Sequence, residues 1–148
     1  MSYNPQNPNG QNTMANSAPV TIASNQSAVP ATSGPDTSTI YNGTTSLTPK
    51  FATITASSSG ASTLVAAVTS KKIRVISYVV VASAAVNIKF QSHVTPTDKT
   101  GLLYLAANGG VSGAYAPTGH FETIAGEALD INLSGAVAVG GHLTYVEV

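Results

Sequence analysis

The chain has no cysteine and no tryptophan, and only 8% of its 148 residues are charged. Without cysteine there is neither a disulfide framework nor a thiolate metal site, so stability must come from packing. Without tryptophan, and with three phenylalanines, a core has to be built mainly from Val, Ile, Leu and Ala. Typical soluble proteins carry about a quarter of their residues as charges; here six basic side chains balance six acidic ones to a formal net charge of zero. Such a surface repels itself little, and partners are expected to cover much of it. A soluble monomer wetted by its Ser, Thr, Asn and Gln side chains is the plainer alternative. No apolar run approaches the roughly 20 residues of a membrane span, and no basic residue precedes Lys50. Neither a signal peptide nor a transmembrane helix is therefore expected, and the product should stay in the cytoplasm where it is made or in something assembled there.

Residues 1–49 differ in texture from the rest. They are dominated by Asn, Gln, Ser, Thr, Pro and Gly, and Asp36 is their only charge. Too little apolar surface is present to offset the entropy of ordering them, so alone they read as an extended or disordered arm. The prolines at 5, 8, 19, 30, 35 and 49 favour extended backbone. Val20, Ile22, Val29 and Pro30 are spaced anchors by which such an arm can lie along a partner or add a strand to its edge. A plain solvated tail is the competing reading.

Residues 50–148 read as strand, turn, strand. In the stretch from Lys72 to Gln91, Val86, Ile88 and Phe90 alternate with Asn87, Lys89 and Gln91, the pattern of a half-buried strand. The preceding Ile73–Ala82 is β-branched and nearly continuous in apolar character from Val79, which predicts a central strand with both faces covered, folded back on its successor through Ala82-Ser83-Ala84. Further strands are expected over 51–56, 62–68, 102–106, 120–125, 128–133 and 142–148, separated by turns rich in Gly, Ser, Asn and Pro. About eight short, evenly spaced strands and no helix predict an all-β domain, an antiparallel β-sandwich or jelly roll.

Chemistry-bearing residues are sparse. His93, His120 and His142 lie with Asp98 and Glu122 in or beside predicted loops, and three such side chains converging could hold a divalent ion. Only His120 and Glu122 share a face at strand spacing, so surface histidines are expected and no metal or cofactor is assigned. Lys71, Lys72 and Arg74 form the one basic cluster; with zero net charge and no interleaved aromatics it reads as a solvated strand end, not a nucleic-acid site. Gly109-Gly110 and Gly140-Gly141 precede no helix and read as turn or bulge glycines. Among Asp98, Glu122, Glu127, Asp130 and Glu147 nothing singles out a hydrolytic pair, so no enzyme is expected. Tyr78, Tyr104, Tyr115 and Tyr145 could stack on sugar, although tyrosines in a sandwich more often pack half-buried with the hydroxyl at the rim.

Two stretches carry a resemblance. Residues 18–30, APVTIASNQSAVP, resemble a short N-terminal segment of the form PV-x-IAS-x-QSAVP that recurs in virion proteins of tailed bacteriophages. The segments KKIRVISYVVVASAAVNIKFQS, GLLYLAANGGV and GEALDINLSGAVAVGGHLTYVEV, beginning at Lys71, Gly101 and Gly126, resemble the β-domain found with it. Residues 1–13 fall outside the pattern. The resemblance implies a non-enzymatic structural protein of the virion, either a capsid decoration (cement) protein or a neck, tail or fibre component that could bind host-surface glycan. It brings no active-site residues. The expectation is a decoration protein on the capsid surface, a homotrimer whose partner is the major capsid protein or another virion protein, with no nucleic-acid or membrane partner.

Overall fold

A computed structural model describes residues 39–94 and 96–148. Among them there is no helix, and every strand pairing is antiparallel. The strands are β1 (Ile40–Asn42), β2 (Thr45–Leu47), β3 (Lys50–Ala56), β4 (Gly60–Val65), β5 (Ile73–Ala82) and β6 (Val86–Ser92). They continue with β7 (Thr97–Asp98), β8 (Leu103–Leu105), β9 (Gly110–Gly113), β10 (Phe121–Glu122), β11 (Leu129–Leu133) and β12 (Val139–Glu147). Sheet I has the order β10-β5-β12-β3, with β9 also paired to β5. Sheet II has the order β4-β11-β6-β7, with β8 also paired to β6. β1 and β2 form a separate ribbon.

The two sheets enclose one core, giving a β-sandwich-like architecture. Ile54, Val75, Val80 and Leu143 of sheet I meet Ile88, Phe90, Leu129, Ile131 and Leu133 of sheet II in a single cluster of buried side chains. The phenylalanines do what tryptophan would do elsewhere. Phe90 stacks on Phe121 at 5.0 Å between ring centroids and meets Tyr78 edge-on at 5.4 Å, arrangements that favour aromatic pairs beyond the area they bury.

Twelve strands replace the eight expected. The additional ones, β1, β2, β7 and β9, have two to four residues each, too short for periodicity to register. β1 and β2 fall inside the stretch read as arm. Gly43, at φ +62°, is the first of the two residues between the paired Asn42 and Thr45, the position at which a type II′ hairpin turn requires glycine. Ile40 is 1% exposed and packs with Ile76, Val146, Leu47 and Val148, so the ribbon seals one end of the outer face of sheet I. β1 and β2 belong to the same compact unit as the sandwich.

The predicted fold-back of β5 on β6 also takes another form. The chain does turn at 83–85, but β5 lies in sheet I and β6 in sheet II, and they share no ladder. Alternation requires only that an apolar face meet another. A hairpin places the two faces side by side, whereas this arch places Val80 and Ala82 across the core from Val86 and Ile88. A bulge then explains the apolar run in β5. Thr144 pairs with Ser77 and Tyr145 with Val75, leaving Ile76 as the extra residue. Inward positions are therefore 73 and 75 before the bulge and 78, 80 and 82 after it, so one strand is apolar on different parities at its two ends.

Candidate interaction surface

The core-facing residues of sheet I fix what its other face displays. Cross-strand pairing aligns Ser112, Val79, His142 and Thr53 in one row and Gly110, Val81, Gly140 and Thr55 in the next. All eight are exposed, and Phe51, at the start of β3 on the same face, is 78% exposed. None of these nine residues is Asp, Glu, Lys or Arg. Two rows therefore present valine, threonine hydroxyls and bare glycine backbone, a shallow uncharged surface. Gly141 beside them admits no side chain, since a Cβ there would overlap the Val79 carbonyl oxygen. The predicted covering of both faces of β5 holds at Ile76, which is fully buried, and fails at Val79 and Val81, which are 37% and 46% exposed.

Charge is placed elsewhere. At the sealed end of sheet I, Arg74 Nε donates to Glu122 Oε1 at 2.6 Å and Lys72 Nζ to Glu122 Oε2 at 3.3 Å. Burial raises the Glu122 carboxyl, but the hydrogen bonds and charges of Arg74 and Lys72 outweigh it and hold the group below its ordinary value. Lys50 Nζ donates to Glu147 Oε1 at 2.6 Å, which raises the lysine above its ordinary value. On sheet II, Lys89 pairs with Asp98 at 2.8 Å.

One polar cluster was not legible in the sequence. Asp130 is 1% exposed on β11; its Oδ1 accepts a hydrogen bond from Thr63 Oγ1 at 2.8 Å and its Oδ2 lies 2.7 Å from His93 Nδ1. Aspartate, histidine and hydroxyl thus sit together, but not as a nucleophile relay. In a relay the hydroxyl bonds the far ring nitrogen, Nε2, while the carboxylate holds Nδ1; here the hydroxyl and the carboxylate are both on the Nδ1 side. The cluster fixes the exposed His93 ring and satisfies a buried carboxylate. No sequence spacing marks it, because 37 residues separate His93 from Asp130.

The remaining candidates disperse. His120 Nε2 bonds the Ala114 carbonyl at 2.7 Å, His142 lies on the outer face of sheet I and His93 sits beside β11. Among the described residues no three His, Cys, Asp or Glu side chains gather as a metal site. Lys72 and Arg74 of the basic cluster are paired with Glu122. Tyr78 packs inside against Phe90, His120 and Phe121, whereas Tyr104 and Tyr115 are exposed. The arm anchors Val20, Ile22, Val29 and Pro30 lie outside the described residues. Comparison with known proteins gives no match to a family model, a curated protein or a solved structure.

Proposed function

We propose that this chain is a non-enzymatic structural protein of a tailed-phage virion, a capsid decoration protein that binds the shell and stabilises it. The observation that carries the reading is the part of the outer face of sheet I around Val79 and Val81, where two cross-strand rows and the exposed Phe51 carry no Asp, Glu, Lys or Arg. A protein partner of similar character gains by covering such a face. The resemblance of residues 18–30 and of the segments from Lys71 onward to phage virion proteins supplies the class. Decoration is then mechanical: arm and domain face add interface across subunit joints, and many weak contacts repeated by symmetry offset the cost of ordering the arm.

The finer fold reading is a jelly roll. Its support is the strand order β3-β12-β5-β9/β10 in one sheet and β4-β11-β6-β8 in the other. Leaving the β1–β2 ribbon aside, and counting β9 with β10 as one interrupted strand and β7 with β8 as another, the two sheets have eight principal strands. These follow the two interleaved Greek keys of that fold. A homotrimer on the capsid surface, with the major capsid protein as partner and no nucleic-acid or membrane contact, completes the proposal.

Quantitative mass spectrometry of the purified virion tests it through copy number. Copies comparable to those of the shell protein are expected; a handful matching tail or neck symmetry would move the protein to the tail, and absence from the particle would end the virion reading. Deletion of residues 1–35 should abolish shell binding and leave the sandwich folded. The cut belongs before Thr39, because Ile40 is buried.

A further inference from the structure

The chain has six basic residues, all of them among the described residues. Lys50, Lys72, Arg74 and Lys89 each have a carboxylate partner. Among the described residues Lys71 and Lys99 have none. Lys71 is the unpaired cation that lines a pocket, of about 250 Å³, shared with Lys50 and Glu147. The three come together because β3 begins at Lys50, β12 ends at Glu147 and β5 begins just after Lys71, all at one end of sheet I. The ribbon strand β2 and the residue that follows it add three hydroxyls to the lining, Thr45, Ser46 and Thr48. Leu47, between them, packs with Ile40, Ile76 and Val146, which holds the hydroxyl-bearing strand against the sandwich.

The lining selects a ligand by its chemistry. Two ammonium groups against one carboxylate leave one positive charge uncompensated, which suits a single negative charge on the ligand. Glu147 Oε1 accepts from Lys50 Nζ at 2.6 Å; the carboxylate beside the site repels a dianion and still offers a second oxygen to donors. Three hydroxyls that both donate and accept match a ligand that carries hydroxyls of its own. No aromatic side chain lines the pocket, so a flat apolar ring finds nothing to stack on. Pockets for drug-sized ligands begin at roughly 300 Å³, which makes this one the size for a single substituted ring. We propose that the pocket binds one carboxylated sugar unit of the uronic acid class. Its carboxylate pairs with Lys71, and its hydroxyls bond Thr45, Ser46, Thr48 and the free oxygen of Glu147. This goes beyond the structural role proposed above and does not depend on it, since the site belongs to the free domain.

Isotope-labelled full-length protein titrated with glucuronate, and followed through its amide NMR signals, tests the assignment. Saturable shifts are expected at residues 45–48 and at Lys71. Glucose has the hydroxyls without the charge and acetate the charge without the hydroxyls; each should bind weaker by about tenfold. Lys71→Gln should weaken glucuronate binding by about tenfold, the loss of one charge-assisted hydrogen bond. Its melting temperature should match that of the parent, because the exposed Lys71 has no ion pair to lose. Thr48→Val, also at an exposed position, should weaken binding of glucuronate and leave that of acetate unchanged. Inorganic phosphate binding more tightly than glucuronate would make this a plain anion site and overturn the sugar assignment. Acetate binding as well as glucuronate, full binding by Lys71→Gln, or no saturable shift would each overturn it too.

Discussion

The two ends of the outer face of sheet I are made of the same strands and the same kinds of residue, yet the chain treats them oppositely. At one end Ile76 and Val146 lie beneath the β1–β2 ribbon and are fully buried. At the other, Val79 and Val81 of the same strand stand in the open. Intrinsic hydrophobicity does not separate them. What differs is that residues 40–47 supply a cover for one end, while no described residue covers the other. The bare end is the one that the proposed partner would cover.

The largest test of that contrast is a pair of truncations. Ile76→Ala removes buried methylenes from beneath the ribbon and should cost about 2–4 kcal/mol in denaturant unfolding. Val79→Ala, three residues further along the strand, should cost less than about 1 kcal/mol because its side chain is already partly in water. Equal losses would mean that the two ends are equally covered in solution, by association of copies or by the preceding residues, and the comparison would fail.

Next in size is Asp130→Ala on sheet II. That sheet turns Asn87, Lys89, Asp130 and Asn132 outward and satisfies Asp130 with Thr63 and His93. Removing the carboxylate takes away the partner of the exposed Thr63 hydroxyl and His93 imidazole, which water can then satisfy, so the loss should be about 1 kcal/mol in unfolding free energy. The sheet II outer face is therefore expected to matter for folding where the bare end of sheet I is not.

Charging that bare end sharpens the contrast from the other side. Val79→Lys combined with Val81→Lys should change unfolding free energy by no more than about 0.5 kcal/mol per site. The same double variant should weaken association with a partner, or between copies, by a margin visible in sedimentation and particle-binding assays. A large loss of stability would show that the valines are structural, and unchanged binding would show that this end is not the interface.

These contrasts also mark what the sequence could and could not tell. The alternation in Val86–Gln91 and in Leu129–Leu133 was enough to place both strands with their apolar faces inward, because neither strand carries a bulge residue of its own; the one irregularity beside them, at Leu64, lies in β4. In β5 the bulge at Ile76 changes which parity faces the core, so alternation on each side of it blurs into a run that looks buried throughout. The ribbon fell inside the stretch read as arm, because its strands, at three residues each, are too short for a period to show. Which sheet a strand joins is a different matter again: β5 and β6 would carry the same pattern in a hairpin or in an arch. The Asp130–His93 contact depends on register between distant segments, which local pattern does not encode.

The smallest expected effect concerns the sealed end, and it turns on the sign of a titration. Glu122 has its folded-state carboxyl held below the ordinary 4.5 by Arg74 and Lys72. A group whose value is lowered on folding contributes stability that is complete above its unfolded value and is lost as pH falls through the folded one. Removing the guanidinium with Arg74→Met should therefore lower the melting temperature most near neutral pH. The gap to the parent should close as the carboxyl becomes protonated in both states, at pH values below the ordinary carboxylate range. The pair is partly open to solvent, with 15% of the Arg74 and 30% of the Glu122 side chain exposed, so the neutral-pH loss should stay below about 1 kcal/mol and shrink in salt. A gap that is constant with pH would mean that Arg74 acts through the packing of its aliphatic stem. Charge would then hold neither end of the face, and the difference between them would rest on the ribbon alone.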